Sequence, residues 1–483
     1  MQLKVVQQIL GLLLMLFSLT MLPPVFVSAW YQDGSAAAFV AGFLVTLLTG
    51  IAIWAPVRWH SRDLRTRDGF LVVAGFWIFL SLFAGAPLLF AEDPQLSVTD
   101  AVFEAVSGLT TTGATVITGL DHQPPAILWW RAQLQWLGGM GIVVLAVAVL
   151  PMLGVGGAQL YRAEVSGATK DTKLTPRITE TAKALWYVYL IVTVLCALSY
   201  WAAGMSPFDA ICHSFTTVST AGFSTHDASI GYYQSTAIDI VAIVFMILGG
   251  VNFSLHFLAF QARSFRTYRG DAELRTYLAI VATVCLFVAA ILVITEHYGE
   301  PHIALIDSLF QVVSVVTTTG FTTADFSSWP GMVPVLLVFI MFIGGCGGST
   351  SGGMKVIRWM LLYRQGTREI MRLIHPAAEI PVRLGDTVVP QRVVDGVWGF
   401  FAIYIVLFGM MILVLTGTGI DQVTAFSAIA TTINNVGPGL GEVAFNFKSL
   451  ADIDKWVCIV AMVLGRLEIF TLFVLISPAF WRR

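Results

Sequence analysis

Four segments of the chain carry small hydroxyl and amide residues that lead up to a glycine. Aligned on that glycine without gaps, they share Ala or Ser twelve positions back, Ser or Thr six positions back, and Thr, Ser or Asn three positions back. Glycine accepts the backbone angles that turn successive carbonyls toward an axis, and such carbonyls can replace the water shell of an ion. The four segments are 100–113, 209–222, 307–320 and 424–437.

The candidate ligands are the backbone carbonyls of each glycine and of the two residues before it. No Asp or Glu stands next to these glycines, whereas a calcium-type ring would require carboxylates. The segments therefore predict a neutral, carbonyl-lined selectivity filter. The predicted ion-binding residues are Thr111, Thr112, Gly113, Thr220, Ala221, Gly222, Thr318, Thr319, Gly320, Asn435, Val436 and Gly437.

A short half-apolar stretch precedes each glycine, and we interpret it as a re-entrant helix. Its C-terminal end carries about half a negative charge and, pointed at the pathway, favours a cation. Irregular backbone survives at membrane depth only where it lines water or is buried in protein. The glycines are 109, 98 and 117 residues apart, which predicts a fourfold repeat of roughly 100–120 residues. Ordinary loops of small residues would not keep four segments in register.

Composition identifies the class of protein that must position these segments. Of 483 residues, 57% are hydrophobic and 12% are charged, and the mean hydropathy is +0.80. So little charge predicts a polytopic membrane protein. The five cysteines show no CxxC spacing, which argues against a zinc site and a disulfide framework.

Ten hydrophobic runs approach the ~20 residues needed to cross a bilayer. An even number predicts that both termini lie on one side. Lys and Arg cluster in alternate loops, and by the positive-inside bias those loops and both termini are cytoplasmic. The opposite loops hold only Arg131, Lys448 and Lys455. The runs are 3–29, 36–57, 69–91, 126–152, 183–204, 236–260, 275–296, 331–353, 393–416 and 453–480.

The predicted fold is an all-α polytopic membrane protein. Four helix–pore-loop–helix repeats surround a central ion pathway, and two extra transmembrane helices precede them. The predicted boundaries are 1–68 for the two leading helices and a cytoplasmic loop, 69–154 for the first repeat, 155–260 for a cytoplasmic linker and the second repeat, 261–353 for the third repeat with a broken second helix, and 354–483 for a cytoplasmic linker and the fourth repeat.

The second helices of the repeats carry a pair of small residues, which becomes Gly465-Arg466 in the fourth. A charge in mid-helix costs about 2.5–3.5 kcal/mol on insertion scales, so Arg466 should face the pathway or a partner. Two hypotheses stay open. Arg466 forms a structural ion pair with Glu468, or it sets a positive barrier to cations below the filter.

In the third repeat, 344–355 reads GGCGGSTSGGMK where a helix interior should be. Each glycine costs about 1 kcal/mol in a helix relative to alanine, so this helix should break. Close packing through small residues would need spacing by four instead of a continuous run. We interpret the run as a flexible intramembrane gate beneath the filter. The predicted gate and barrier residues are Gly344, Gly345, Gly347, Gly348, Ser349, Thr350, Ser351, Gly352, Gly353 and Arg466.

The segments TTTGA, STAGF, TTTGF and NNVGPG, together with GGCGGSTSGGMK and the chain length, resemble the bacterial Trk/Ktr/HKT superfamily. The resemblance is closest to the TrkH-type membrane subunit and covers essentially the whole chain. It implies potassium uptake across the bacterial inner membrane, a homodimer with one pore per protomer, and a cytosolic, nucleotide-binding TrkA-like ring that gates it. It also implies a pore-facing arginine and a gating loop where Arg466 and 344–353 stand.

The favoured function is potassium-selective uptake through a gated, channel-like pore. The alternative is a secondary potassium symporter coupled to protons or sodium, which would want a buried acid near the midplane. An enzyme is not expected, because the sequence shows no clustered metal ligands and no nucleophile–base pair. Potassium is the expected transported ion, with no cofactor, and membrane lipid is the expected surroundings, with no nucleic acid. Acids five residues past three of the glycines either attract cations or form a solvated loop face; they are Asp227, Asp325 and Glu442.

Overall fold

The computed structural model describes residues 1–60, 66–144, 178–385, 387–467 and 469–482. Within these ranges the regular structure is helical, apart from one antiparallel hairpin of β1 (Arg383–Leu384) and β2 (Thr387–Val388). Glu468, the predicted ion-pair partner of Arg466, lies outside the described residues. So do six of the clustered basic residues on which the predicted topology rests: Arg62, Arg65, Arg162, Lys170, Lys173 and Arg177.

Three α-helices precede the first repeat, the first two of them within one apolar span. Each repeat then contains a helix of 12 to 16 residues that ends shortly before its glycine. The leading helices are α1 (Leu3–Ser18), α2 (Leu22–Tyr31) and α3 (Ala36–Trp54). The first repeat contains α4 (Thr66–Ala84), α5 (Ala86–Phe90), α6 (Val98–Leu109) and α7 (Pro125–Val144). The second contains α8 (Ile178–Ala202), α9 (Pro207–Val218), α10 (Thr236–Gly249) and α11 (Phe253–Ala262).

The third and fourth repeats follow after a short connecting helix, α12 (Arg266–Gly270). The third contains α13 (Ala272–Ile294), α14 (Pro301–Val316) and α15 (Val333–Ile340). A helix rich in Arg, α16 (Val356–Ile374), leads through the hairpin to the fourth. The fourth contains α17 (Gln391–Gly417), α18 (Gln422–Ile433), α19 (Asp452–Arg466), α20 (Phe470–Ile476) and α21 (Pro478–Trp481).

Six described helices are long and apolar enough to span a bilayer by length and composition. The run 236–260, predicted as one continuous span, is instead a bent pair: α10 and α11 meet at 93°. Asn252 caps α11 by accepting a hydrogen bond from the Ser254 N–H (2.9 Å). The carbonyl of Gly250 at the break accepts from the N–H of Cys346 (2.8 Å), in the glycine-rich segment of the third repeat. A contact distant in sequence therefore stabilises this bend.

The second helices of the third and fourth repeats are also interrupted. No helix is assigned between Ile340 and Val356, as the glycine content of this segment predicts. The run 453–480 is not continuous either, because α19 ends at Arg466. The prediction that Arg466 lies in the middle of a helix is therefore wrong. Arg466 is the last residue of α19, and the next helix begins at Phe470.

Candidate ion pathway

Four short helices, α6, α9, α14 and α18, deliver the four glycine segments. Each ends four residues before its glycine. The residue three positions before the glycine caps this end, because its side chain donates to the carbonyl one turn back. This explains why that column holds only Thr, Ser and Asn. The bonds run from Thr110 to Val106 (2.7 Å), Ser219 to Phe215 (2.7 Å), Thr317 to Val313 (2.7 Å) and Asn434 to Ala430 (2.8 Å).

The backbone after each short helix repeats one unusual conformation. The residue two positions before the glycine is left-handed, as is the glycine itself. A non-glycine residue in this region costs of order 1–3 kcal/mol and concentrates at functional sites. The φ angles are 55°, 49°, 58° and 56° for Thr111, Thr220, Thr318 and Asn435, and 81°, 78°, 82° and 104° for Gly113, Gly222, Gly320 and Gly437.

The N–H of the residue before each glycine bonds back to the short helix. The acceptor is the backbone carbonyl of the Ser or Thr that stands six positions before the glycine in every repeat. Because each of these N–H groups donates to a carbonyl of its short helix, the strained backbone is attached to the end of that helix in all four repeats. The bonds are Thr112 to Ser107 (2.8 Å), Ala221 to Thr216 (2.9 Å), Thr319 to Ser314 (2.8 Å) and Val436 to Thr431 (2.9 Å).

The four glycines close a ring. A Cβ atom placed on Gly113, Gly222 or Gly320 would collide with the carbonyl oxygen of the residue before the next repeat's glycine. One placed on Gly437 would lie 2.9 Å from the carbonyl oxygen of Thr112, in the first repeat. Neighbouring segments therefore approach too closely for any side chain. The contacts run from first repeat to second, third, fourth and back to first: Gly113 to Ala221, Gly222 to Thr319, Gly320 to Val436, and Gly437 to Thr112.

The small residues of the second helices allow a second close approach. A Cβ on Gly138 would collide with the carbonyl oxygen of Leu109, the last residue of α6, and one on Gly465 would collide with that of Ile433, the last of α18. At Gly249 the same atom would lie 3.1 Å from the carbonyl of Val218, the last of α9. In the first, second and fourth repeats this glycine thus lets the second helix touch the end of its short helix, whereas Gly344 in the third repeat faces the carbonyl of Gly352 instead.

Behind the ring, buried polar side chains in three of the four repeats hold the extended segment that follows the glycine, and the sequence analysis missed them. Glu104, fully buried, accepts from the N–H of Val116 (2.9 Å). His213 bonds to Ser224 (3.0 Å) and Gln311 donates to the carbonyl of Ala324 (3.1 Å). All three stand nine residues before their glycine. A polar residue recurring in that column was the signal that could have found them.

Glu104 is also paired with a buried cation. Its carboxylate accepts from Arg131 Nε at 2.7 Å, and the two side chains are 0% and 1% exposed. Breaking such a pair by removing one partner leaves an uncompensated buried charge, at about 3–5 kcal/mol. Arg131, which the sequence analysis counted only as a charge in an outer loop, therefore belongs to the packing around the predicted filter.

Beyond the ring, acidic side chains join the loops of neighbouring repeats. Asp227 accepts from the N–H of Gly119 (3.1 Å) and so joins the second repeat to the first. His226 beside it bonds to Asp121 (2.6 Å) and faces Asp209 (3.8 Å). Burial lowers the pKa of His226, but its hydrogen bonds to Asp209 and Asp121 outweigh burial and raise this pKa above the ordinary value. Two carboxylates therefore stabilise the protonated form of this imidazole.

The glycine-rich segment of the third repeat lies against the left-handed residues of the predicted filter. The N–H of Gly352 donates to Thr318 Oγ1 (2.6 Å), and Thr220 Oγ1 donates to Thr350 Oγ1 (3.1 Å). The N–H of Gly353 donates to the carbonyl of Asn434 (3.0 Å). One segment thus touches three of the four repeats next to the ring.

Thr350 is the centre of this arrangement. Its hydroxyl lies 3.0 Å from the carbonyl of Val218 and 3.1 Å from that of Gly249, and the side chain is fully buried. Its own carbonyl accepts from Arg466 Nη1 (3.0 Å). The predicted gate residues and the predicted barrier residue, separated by more than a hundred positions, therefore meet at one carbonyl. At the far end of the segment, the Lys355 ammonium folds back onto the carbonyl of Ser351.

Comparison with known proteins identifies the family to which the chain belongs. A family model described as TrkH, cation transport protein, matches residues 35–483. The chain is 54% identical over 486 residues to the Trk system potassium uptake protein TrkH of Vibrio parahaemolyticus, with all of both chains covered. The chain belongs to the TrkH family. Other relatives include TrkH of Escherichia coli K12, 48% identical with both chains covered in full, and TrkG of the same strain, 42% identical with 99% of each covered.

A solved structure supports the same assignment. The crystal structure of the potassium transporter TrkH from Vibrio parahaemolyticus aligns with a TM-score of 0.93 at 51% identity, and all of both chains is covered. The predicted all-α polytopic fold class is thereby confirmed, as is the family resemblance. This TrkH-family chain is a multi-span membrane protein from a family of cation transporters and not from a family of enzymes.

Proposed function

We propose that this chain takes up potassium through a gated, channel-like pore. The observation that carries the proposal is the ring of four glycines, each preceded by a strained residue and the end of a short helix. Carbonyls at these positions supply neutral ligands, and the four helix C-termini add negative potential. The relatives described as potassium uptake proteins, matched over their whole length, support potassium as the ion.

The filter ligands proposed are the twelve residues predicted from the sequence, acting mainly through backbone carbonyls. The ring contacts support this choice, since the carbonyl before each glycine borders the next repeat. Among the described residues, Ala221 differs from its three counterparts because its carbonyl already accepts a side-chain hydrogen bond.

A flux experiment on purified protein in liposomes tests the proposal. Rubidium uptake should follow the rubidium gradient and membrane potential, and should compete with potassium far better than with sodium. It should persist without any sodium or proton gradient. Failure of potassium to compete would overturn the proposed ion, and uptake that requires an imposed sodium or proton gradient would overturn the channel-like pathway.

The alternative is a symporter coupled to protons or sodium. The filter and gate residues contain no Asp, Glu or His, so no carboxylate or imidazole in them could carry a coupled proton. Asp209 and Asp121 raise the pKa of His226, and its protonation changes the charge in the proposed outer mouth without carrying a coupled proton. The pH arm of the flux experiment therefore includes His226→Gln: a pH effect that disappears in this variant is modulation, and one that persists with net proton uptake supports symport.

The glycine-rich segment is proposed as the gate, and Thr350 offers the sharpest test. Thr350→Val keeps the side-chain shape but removes the hydroxyl that bonds to Val218, Gly249 and Thr220. The hydroxyl has one proton, which the two carbonyls share, and Thr220 Oγ1 keeps a second acceptor in the carbonyl of Ser219 (2.8 Å). The net loss is therefore one hydrogen bond of about 1 kcal/mol, which should favour release of the segment, so basal rubidium flux should rise about fivefold.

Ser351→Ala is the matched control for Thr350→Val. The Ser351 hydroxyl is buried and has no hydrogen-bond partner among the described residues, so its removal should leave basal flux unchanged. Equal flux in wild type and a folded Thr350→Val variant would reduce the segment to a packing element.

The assembly and orientation of the chain stay proposals. We propose a homodimer with one pore per protomer, cytoplasmic termini in the bacterial inner membrane, and control by a cytosolic nucleotide-binding ring of TrkA type. The basic loops and the Arg-rich α16 support a cytoplasmic docking face of this kind. The name of the relatives, which belong to a Trk system, supports a multi-component uptake system.

A further inference from the structure

One side chain of α7 brackets the second repeat's filter glycine. Gln135 Nε2 donates to the carbonyl of Ala221 at 2.7 Å. The N–H of Phe223 donates to Gln135 Oε1 at 3.0 Å. The carboxamide is fully buried, and it therefore fixes the residues on both sides of Gly222 with a donor and an acceptor at once.

The preceding turn of α7 contacts the same extended segment at Ser224, the residue after Phe223. Arg131, four residues before Gln135, donates from Nη1 to the carbonyl of Ser224 (3.0 Å). Its guanidinium also lies 4.1 Å from the centre of the Phe223 ring, and Glu104 fixes it from the other side. One face of α7, in the first repeat, therefore holds the second repeat's strand at consecutive residues.

The other three repeats lack this device. At the position of Gln135, three residues before the small pair, they carry Met, and at the position of Arg131 they carry Ala, Leu or Cys. All six side chains are buried. The fourfold ring is thus chemically asymmetric at the boundary between the first and second repeats. The apolar counterparts are Met246, Met341 and Met462 for Gln135, and Ala242, Leu337 and Cys458 for Arg131.

We propose that Gln135 is a positioning residue that sets the preference of the filter for potassium over sodium. The inference rests on the proposed function, since it assumes that Ala221 contributes a filter carbonyl. Gln135 acts through Ala221 and Phe223 and does not itself contact the ion.

Two physical effects of this hydrogen bond favour the larger ion. A carbonyl held at 2.7 Å by a buried donor cannot move inward to follow a smaller cation. The donor also competes for the lone pairs of the oxygen, which weakens the field that this ligand offers. A weaker, fixed field stabilises sodium least, because sodium has the larger hydration energy to replace.

The test replaces Gln135 with the residue that the other repeats use. Gln135→Met should lower the potassium-to-sodium permeability ratio by about fivefold, the factor that corresponds to the about 1 kcal/mol of one hydrogen bond. Gln135→Glu retains the acceptor for the Phe223 N–H but has no donor for the Ala221 carbonyl when the carboxyl is ionised, and in that form it should lower the ratio as well. The ratio is measured in liposomes from rubidium and sodium fluxes, alongside melting temperature.

Gln133→Met is the matched control. Gln133 is a buried glutamine on the same helix that donates to the carbonyl of Thr20 (2.6 Å), away from the filter. It should lose stability like Gln135→Met while keeping the wild-type ratio. An unchanged ratio in folded Gln135→Met and Gln135→Glu overturns the inference. If the wild type itself shows no potassium preference, the proposed function fails instead.

Discussion

Replacing Arg466 with Ala is expected to raise potassium flux tenfold to a hundredfold. A cation that passes a fixed positive charge about 6 Å away meets about 2–3 kcal/mol of repulsion at an effective dielectric near 20. Removing that repulsion accelerates passage by the stated factor. Arg466 is 3% exposed and donates to the carbonyl of Thr350, in the segment proposed as the gate.

Two further variants separate charge from restraint. Arg466→Lys keeps the charge and should leave flux near the wild-type value, whereas Arg466→Gln removes the charge, keeps a donor, and should behave like Ala. If restraint of the Thr350 carbonyl matters more than charge, Gln will instead resemble the wild type.

The ion-pair hypothesis makes the opposite prediction. Arg466 Nε and Nη2 are buried with no hydrogen-bond partner among the described residues, and Glu468 lies outside them. If Glu468 neutralises the guanidinium, Arg466→Ala and Glu468→Gln should both lower the melting temperature and leave flux equal or reduced. Stability loss without a gain in rubidium uptake assigns Arg466 to a structural role.

Features that recur in the sequence could be predicted, because each depends on local spacing. The short helix, its cap and the left-handed glycine lie within one short stretch of each repeat, 98–113, 207–222, 301–320 and 422–437, so their geometry is visible as aligned columns. The break after Ile340 could be predicted for a similar reason, since six glycines in one run oppose a helix regardless of what surrounds them.

Features that depend on tertiary contacts could not be predicted. The apolar run through Gly250 reads as one span, and its bend is stabilised by the N–H of Cys346 from another repeat. Arg466 lies at a helix end for which no terminating Gly or Pro follows in the sequence. Gln135 and Arg131 occur in only one repeat, so a comparison between repeats does not reveal them. Their side chains nevertheless hold the segment around Gly222.

Gly113→Ser is expected to reduce the preference for potassium over sodium by about tenfold. The added Cβ would collide with the carbonyl oxygen of Ala221. Because this neighbour is backbone, and Gln135 holds it by a hydrogen bond, it cannot rotate away and the ring must deform. The φ of +81° adds strain for any residue other than glycine. A differential loss of about 1.4 kcal/mol between the two ions gives the tenfold change.

Gly119→Ser provides the matched control for this substitution, six residues further along the same strand. Gly119 has a similar φ of +71°, but a Cβ there would meet nothing within 4 Å. It should therefore carry a comparable backbone strain and keep the wild-type ratio. Rubidium and sodium fluxes of both variants are measured in liposomes after their expression and melting temperatures are matched. An unchanged ratio in Gly113→Ser, with normal flux, would remove Gly113 from the filter, because a side chain cannot enter this ring without moving the carbonyl that faces it.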